Sequence, residues 1–261
     1  MTAALVVSTV VWLVVVALLL QRIQRERAER KRREQRGGWP IRTVGLDEFS
    51  PVFRPGPLGP TLATEVAFIG HGPLPVPGGT SDAESWVLAV LAREARLLFE
   101  FGTCTGKTAY LWARNSPDDA HVVTLTLHPD DVAAYQRGAG DDGLDTAHAV
   151  AESAFTEFLY TGTPVAHKVE QLYGDSKAFD PAPWAGRCDV VFVDGSHAYS
   201  YVLSDAEKAL RLVRPGGVVL WHDYAGPRHS PGVWRALNEL AARVPLVHLR
   251  GTSFVAHRRP A

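Results

Sequence analysis

Residues 97–108 read Leu97-Leu98-Phe99-Glu100-Phe101-Gly102-Thr103-Cys104-Thr105-Gly106-Lys107-Thr108. The apolar run over 97–101 has the length of a buried strand and is too short for a helix. Gly102 breaks it, and a helical stretch follows over about 106–115. Glycines at 102 and 106 let the backbone turn tightly and approach a ligand with no Cβ in the way. The next helix presents its free N–H groups to the same place. The stretch therefore reads as a strand, a glycine turn and a helix that together make a binding corner.

Working outward, the same alternation repeats. Upstream, Ser81 and Asp82 are N-cap candidates, with Glu84 and Ser85 in the first turn of a helix running to about Arg96. Downstream, strand-like runs fall at 121–127, 167–172, 188–193 and 217–221, and helices fill most of the gaps. The clearest of these helices covers 199–213 and stops at Pro215-Gly216-Gly217. Short apolar strands alternating with helices predict a parallel sheet buried on both faces. Ligands in such sheets bind beyond the carboxyl ends of the strands, so the informative residues belong just after each run.

Spacing narrows the ligand. Gly106-Lys107-Thr108 matches the end of a phosphate-binding loop, but its first glycine would fall on Phe101, so the loop is one residue short. The dinucleotide pattern G-x-G-x-x-G fails too, because three residues separate Gly102 from Gly106. What remains is an acid followed by G-x-x-x-G. Further on come Val193-Asp194-Gly195-Ser196-His197-Ala198-Tyr199 and Pro215-Gly216-Gly217, then Trp221-His222-Asp223-Tyr224. Together these motifs resemble the class I S-adenosylmethionine-dependent methyltransferases, and within them a bacterial O-methyltransferase-like subgroup with a DGSHxY motif. The resemblance covers roughly residues 81–257.

That resemblance implies a Rossmann-like, doubly wound, mostly parallel seven-stranded sheet, with residues 245–249 and 252–257 as a closing hairpin and one antiparallel edge strand. It implies that Glu100, Gly102, Thr103, Thr105 and Gly106 surround the methionine and ribose part of S-adenosylmethionine. Asp175 and Ser176 would meet the adenine, and Asp194 would also touch the cofactor. Thr126 stands where the family usually carries an acid for the ribose hydroxyls. A neutral hydroxyl binds ribose more weakly than a carboxylate, and Asp130 and Asp131 lie near enough in sequence to compensate.

Methyl transfer displaces an already activated leaving group, so the protein chiefly aligns the reactants in a dry pocket. A hydroxyl acceptor must also lose a proton. Asp194, His197 and His222 are the catalytic candidates, with His197 as base because its ordinary pKa lies near working pH. Asp194, His222 and Asp223 form an alternative set that could hold a divalent ion such as Mg2+, since hard ions favour carboxylates and tolerate an imidazole. Residues 128–163 form a long insertion carrying Tyr135, Phe155, Phe158 and Tyr160, either a lid over the acceptor or a helical pair packed on the sheet.

The first twenty residues carry no charged side chain. A run of about 20 apolar residues spans a bilayer core of roughly 30 Å. Residues 21–36 then hold eight Lys and Arg against three Glu. By the positive-inside rule, that excess puts the C-terminal side of the run in the cytoplasm. Four segments are expected: a single-pass membrane anchor over 1–20, a basic juxtamembrane stretch over 21–36, a Pro/Gly-rich linker and cover segment over 37–80, and the methyltransferase domain over 81–261. The expected partners are the membrane and a small-molecule, sugar or lipid-linked glycan acceptor. A net charge of −1 argues against a nucleic-acid binder. Cys104 and Cys188 offer neither a metal spacing nor a disulfide framework. Outside catalysis, the rival reading is a membrane-anchored binding module that kept the fold without turnover, and Thr126 is the feature that favours it.

Overall fold

The computed structural model describes residues 12, 13, 16, 19–24, 39–54 and 78–261. The chain forms two compact units, Met1–Thr43 and Val44–Ala261. In the first unit, residues 19–24 are helical, and Trp12, Leu13, Val16, Leu19, Leu20 and Ile23 are exposed. Most of the anchor expected over 1–20 lies outside the described residues, as do 25–36 of the basic stretch and 55–77 of the linker. Among the described residues, no helix is long and apolar enough to cross a membrane.

The strands are β1 (Thr43–Val44), β2 (Leu97–Phe101), β3 (His121–Thr126), β4 (Val169–Tyr173), β5 (Cys188–Val193), β6 (Val213–Trp221), β7 (Val247–Leu249) and β8 (Val255–Arg258). The helices are α1 (Leu46–Phe49), α2 (Asp82–Ala92), α3 (Lys107–Asn115), α4 (Gly143–Glu152), α5 (Tyr199–Leu212) and α6 (Pro231–Leu240). The sheet order is β1-β7-β8-β6-β5-β2-β3-β4. Pairs β2–β3, β3–β4, β2–β5 and β5–β6 are parallel. The sheet has eight strands rather than seven, the extra one being the two-residue β1 on the edge.

The antiparallel strand is not at the edge as expected. β8 lies inside the sheet, antiparallel to both β6 and β7. Only residues 250–254 separate β7 from β8, so the chain must return as a hairpin. Insertion beside β6 then gives β8 ladder partners on both sides, leaving no open edge there.

α2 starts with a capping box. The Glu84 N–H donates to Ser81 Oγ at 3.3 Å, and the Ser81 N–H returns to Glu84 Oε2 at 2.9 Å. Alternate strand residues Leu98, Val190, Phe192, Val218 and Leu220 join Val87, Leu88, Ala109 and Trp112 of α2 and α3 in one core. Their neighbours Phe99 and Phe101 meet Phe179 instead, at 5.2 and 5.9 Å between ring centroids. Val44 and Phe53 belong to the same core, so part of the expected linker and cover segment is built into the folded unit. Buried Lys168 donates to the carbonyls of Ala113 and Ser116 at 3.0 Å, satisfying the C-terminal end of α3.

From β2 the order runs one way through β3 to β4 and the other way through β5 to β6. The crevice where that order reverses opens between the ends of β2 and β5.

Candidate active site

Gly102 and Asp194 meet in that crevice. The Asp194 N–H donates to Phe101 O at 2.8 Å, and the Gly102 N–H to Leu125 O at 2.8 Å. Gly102 has φ +100°, and a Cβ there would lie 2.5 Å from the Asp194 carbonyl carbon and 2.7 Å from Gly195 Cα. Only glycine lets the two strand ends come this close. Beyond them lies a cavity open to solvent.

Its walls come from the ends of β2, β3, β4 and β5. β2 supplies Gly102 and Cys104, β3 supplies Thr126, the turn after β4 supplies Asp175 and Ser176, and the turn after β5 supplies Asp194, Gly195 and Ser196. The insertion adds Tyr135, Ala149, Glu152 and Ser153, while α5 adds Tyr201 and Asp205. The insertion is tied down over its first half. Tyr135 stacks on Tyr201 with centroids 4.4 Å apart, its hydroxyl lies 2.7 Å from Ser196 Oγ, and Asp141 accepts from the Ser200 N–H at 2.7 Å. It holds one α-helix and one short 3-10 helix, not a helical pair.

Four residues of the glycine turn fall outside the cavity wall. Glu100 is buried beneath it and accepts from Thr124 Oγ1 at 2.6 Å. Thr124 Oγ1 in turn lies 2.8 Å from Thr103 Oγ1, which accepts from Gln171 Nε2 at 3.1 Å. Burial raises the Glu100 carboxyl to about 8, against the pull of the Thr124 hydrogen bond, and the Asp194 charge adds to the rise. Thr105 is buried, and its carbonyl accepts from Leu159 N–H at 2.9 Å. Gly106 caps α3 at φ +77°, and a Cβ there would press on Tyr160 and Phe158 of the insertion.

The turns after β5 and β6 bring together the remaining sequence candidates. His222 Nδ1 lies 2.8 Å from Asp194 Oδ1 and 3.1 Å from Asp223 Oδ2. His197 Nε2 lies 2.8 Å from the same Asp223 oxygen. Asp223 holds a left-handed φ of +58°, unusual for a non-glycine residue, and Ser230 Oγ donates to its carbonyl. On the far side, His222 Nε2 sits 3.5 Å from Glu84 Oε2, while Glu84 Oε1 accepts from Ser253 N–H at 2.6 Å and Ser253 Oγ at 2.8 Å.

These contacts set the charges. Burial opposes the His222 imidazolium, but Asp194, Asp223 and Glu84 outweigh it and raise the pKa well above 6.5. Burial works the same way on His197, and Asp223 more than offsets it, so the pKa rises. Burial alone would raise Asp223 and Glu84. The two imidazoles hold the Asp223 carboxyl far below the carboxylate range, and His222 with the Ser253 and Ser81 N–H groups does the same for Glu84. Glu152 moves the other way, pushed up to about 7 by burial and by the Asp194 charge.

One imidazole nitrogen and two carboxylates, with ligand atoms all within 4.8 Å of one another, fit a divalent ion: Asp194, His222 and Asp223. Glu84 behind His222 Nε2 has the place of the outer carboxylate that commonly orients a metal-bound imidazole. Sequence reasoning misses Glu84 and Glu152 as site residues. Glu84 carries an N-terminal helix signal and nothing more, and Glu152 lies in a segment of weak periodicity.

Residues 99–224 match a family described as a methyltransferase domain. The matched segment spans the strand ends that build the cavity. Among curated proteins, an uncharacterized protein of Acanthamoeba polyphaga mimivirus is 36% identical over 56 residues, 22% of this chain and 25% of that one. An uncharacterized protein of Sinorhizobium fredii is 42% identical over 57 residues, 22% of this chain and 6% of that one. The match thus spans a quarter or less of each of these relatives. Among solved structures, the O-methyltransferase TomG from Streptomyces achromogenes is 24% identical, with a TM-score of 0.48 over 69% of this chain and 82% of that one. An O-methyltransferase from Bacillus cereus is 21% identical, with a TM-score of 0.47 over 70% of this chain and 84% of that one.

Proposed function

We propose that the chain transfers the methyl group of S-adenosylmethionine to a hydroxyl of a small molecule, a sugar or a lipid-linked glycan. The observation that carries the reading is the His197–Asp223 pair at 2.8 Å, linked through His222 to Asp194 of the cavity wall. By the family resemblance, ribose hydroxyls would fall at Thr126 and adenine at Asp175 and Ser176; all three line the cavity, and Gly102 keeps its wall free of a Cβ, which supports the reading.

The acceptor oxygen attacks the methyl carbon as the carbon–sulfur bond breaks, and the bond pair stays on sulfur. The hydroxyl proton passes to His197. Asp223, 2.8 Å from His197 Nε2, orients the ring and stabilises the imidazolium that forms. In His197→Ala, kcat with a hydroxylated acceptor falls by about 10²–10⁴-fold, while affinity for S-adenosylhomocysteine stays within about twofold. Full activity in that variant would remove the assignment.

A second reading is favoured by the spacing of Asp194, His222 and Asp223. A divalent ion held there would polarise and orient the acceptor oxygens. Activity that vanishes on chelation and returns with Mg2+ supports it.

Location at the cytoplasmic face of a membrane is part of the proposal. Its support is the uncharged run over 1–20, the basic run after it, and the exposed side chains of Trp12, Leu13, Val16, Leu19 and Leu20. Such an anchor is what brings a lipid-linked acceptor within reach. Fractionation of cells with the full chain, against a chain lacking residues 1–20, tests it.

A further inference from the structure

The cavity wall is acidic. Glu152 from α4, Asp175 after β4, Asp194 after β5 and Asp205 from α5 all line it. Among the described residues, no Lys, Arg or His does. Three lysines near the wall donate to backbone carbonyls, and two of them, Lys208 and Lys177, also pull on Asp205 from outside it. Lys107 Nζ donates to Thr80 O at 2.7 Å, Lys208 Nζ to Ser176 O at 2.7 Å, and Lys177 Nζ to Gln136 O at 2.6 Å. His222 answers Asp194. A second observation points into the same space: Asp205 is 1% exposed, and its Oδ1 has no hydrogen-bond partner. Burial raises the Asp205 carboxyl to about 7, against the pull of Ser176 and Lys208, and a buried oxygen without a partner is costly.

The two forms of the cofactor differ in the property such a wall reads. S-adenosylmethionine carries a sulfonium, an ammonium and one carboxylate, so its net charge is +1. Methyl loss turns the sulfonium into a neutral thioether, and the net charge becomes zero. Under the proposed function, the methyl group lies beside Asp194 and His197. Glu152, on the insertion, is within electrostatic reach of Asp194 and of the His197–Asp223 pair.

We propose that Glu152 makes the pocket discriminate by charge, so that it binds the sulfonium cofactor more tightly than the neutral thioether product. The inference rests on the cofactor reading above and adds a role for the insertion. The turnover itself removes the attraction, so the product leaves without the insertion having to open far. The acidic wall also disfavours anionic acceptors, such as phosphorylated or carboxylated ones, close to the methyl group.

The test is calorimetric binding to the full chain in detergent at about pH 8, where Glu152 is mostly ionised. Three ligands are compared: S-adenosylmethionine, S-adenosylhomocysteine, and the analogue in which a protonated amine replaces the sulfonium. The wild-type chain is expected to bind both cations about tenfold more tightly than the thioether, the factor one added ion pair gives in a partly wet site. Glu152→Gln brings the ratio to within about twofold and leaves thioether affinity nearly unchanged, which also reports that the pocket is intact. Ser153→Ala, on the same wall, keeps the tenfold ratio. Tighter binding of the thioether to the wild-type chain, or a ratio unmoved by Glu152→Gln, overturns the inference. Failure of all three ligands to bind overturns the cofactor reading and this inference with it.

Discussion

Replacing Gly102 with alanine tests the part of the site on which the rest depends. The new Cβ would lie 2.5 Å from the carbonyl carbon of Asp194 and 2.7 Å from Gly195 Cα, both backbone atoms. Backbone cannot rotate aside as a side chain can, so the ends of β2 and β5 must separate. Holding a non-glycine residue at φ +100° costs about 1–3 kcal/mol. Relieving the overlap costs about 1–3 kcal/mol more. If the Asp194 N–H to Phe101 O bond at 2.8 Å is lost, a further loss of about 1 kcal/mol follows. A total of roughly 3–7 kcal/mol is a large part of the ~5–15 kcal/mol that holds a domain folded. Urea unfolding of wild type and variant reads the difference from the midpoints at constant slope. Gly106→Ala is the comparison, since its Cβ would meet the Tyr160 ring at 2.8 Å and the Phe158 Cβ at 3.0 Å. Those side chains can shift, so that loss is smaller and mainly reflects φ +77°. A Gly102→Ala chain within about 1 kcal/mol of wild type, with cofactor affinity unchanged, would refute the claim that close backbone approach builds this pocket.

Two other outcomes follow from the same strand ends. Glu100 ionises near 8 in the folded chain, against 4.5 as its ordinary value, because burial disfavours the charge. The folded state therefore binds more protons than the unfolded state across that window, so stability falls as pH rises from about 4.5 to about 8. Glu100→Gln, neutral throughout and still able to accept from Thr124, flattens that decline, and denaturant midpoints at about pH 5, 6.5 and 8 check it; an unchanged slope would count against a protonated Glu100. Thr126→Asp places a carboxylate on the cavity wall where ribose would sit, and charge-assisted hydrogen bonds to two hydroxyls should tighten S-adenosylhomocysteine binding by about tenfold. Weaker binding in that variant, measured by calorimetry, would show that the wall is already too acidic for a further charge.

The parts of this protein that are legible in sequence share one property: they are specified over a few consecutive residues. β2 and β5 begin and end where the apolar runs at 97–101 and 188–193 do, because strands buried on both faces leave an unbroken apolar signature. Ser81 caps α2 through a side chain three residues from its partner. β6 begins four residues earlier than the apolar run over 217–221, because Val213 pairs with Cys188 across a register irregularity that no local pattern encodes. The strand-like run over 167–172 begins two residues before β4, since Ala166–Lys168 turns as a 3-10 helix to bring Lys168 under the end of α3.

The site divides along the same line. Asp194, His197, His222 and Asp223 can be assembled from sequence because each comes after a strand, and neighbouring parallel strands carry their carboxyl ends to one edge. Their hydrogen-bond order cannot. Asp223 bridges two imidazoles only because its backbone takes a left-handed turn, which Ser230 and the start of α6 hold from beyond the motif. Glu84 reaches His222 from far earlier in the chain, through the accident that a capping carboxylate also faces the β7–β8 turn. Glu152 reaches the cavity on an insertion that Tyr135 ties to Ser196, Asp141 to Ser200 of α5, and Gln136 to Lys177. The chemistry expected of the strand ends is therefore local, while its charge state and selectivity are set by acids that only the folded chain brings into place.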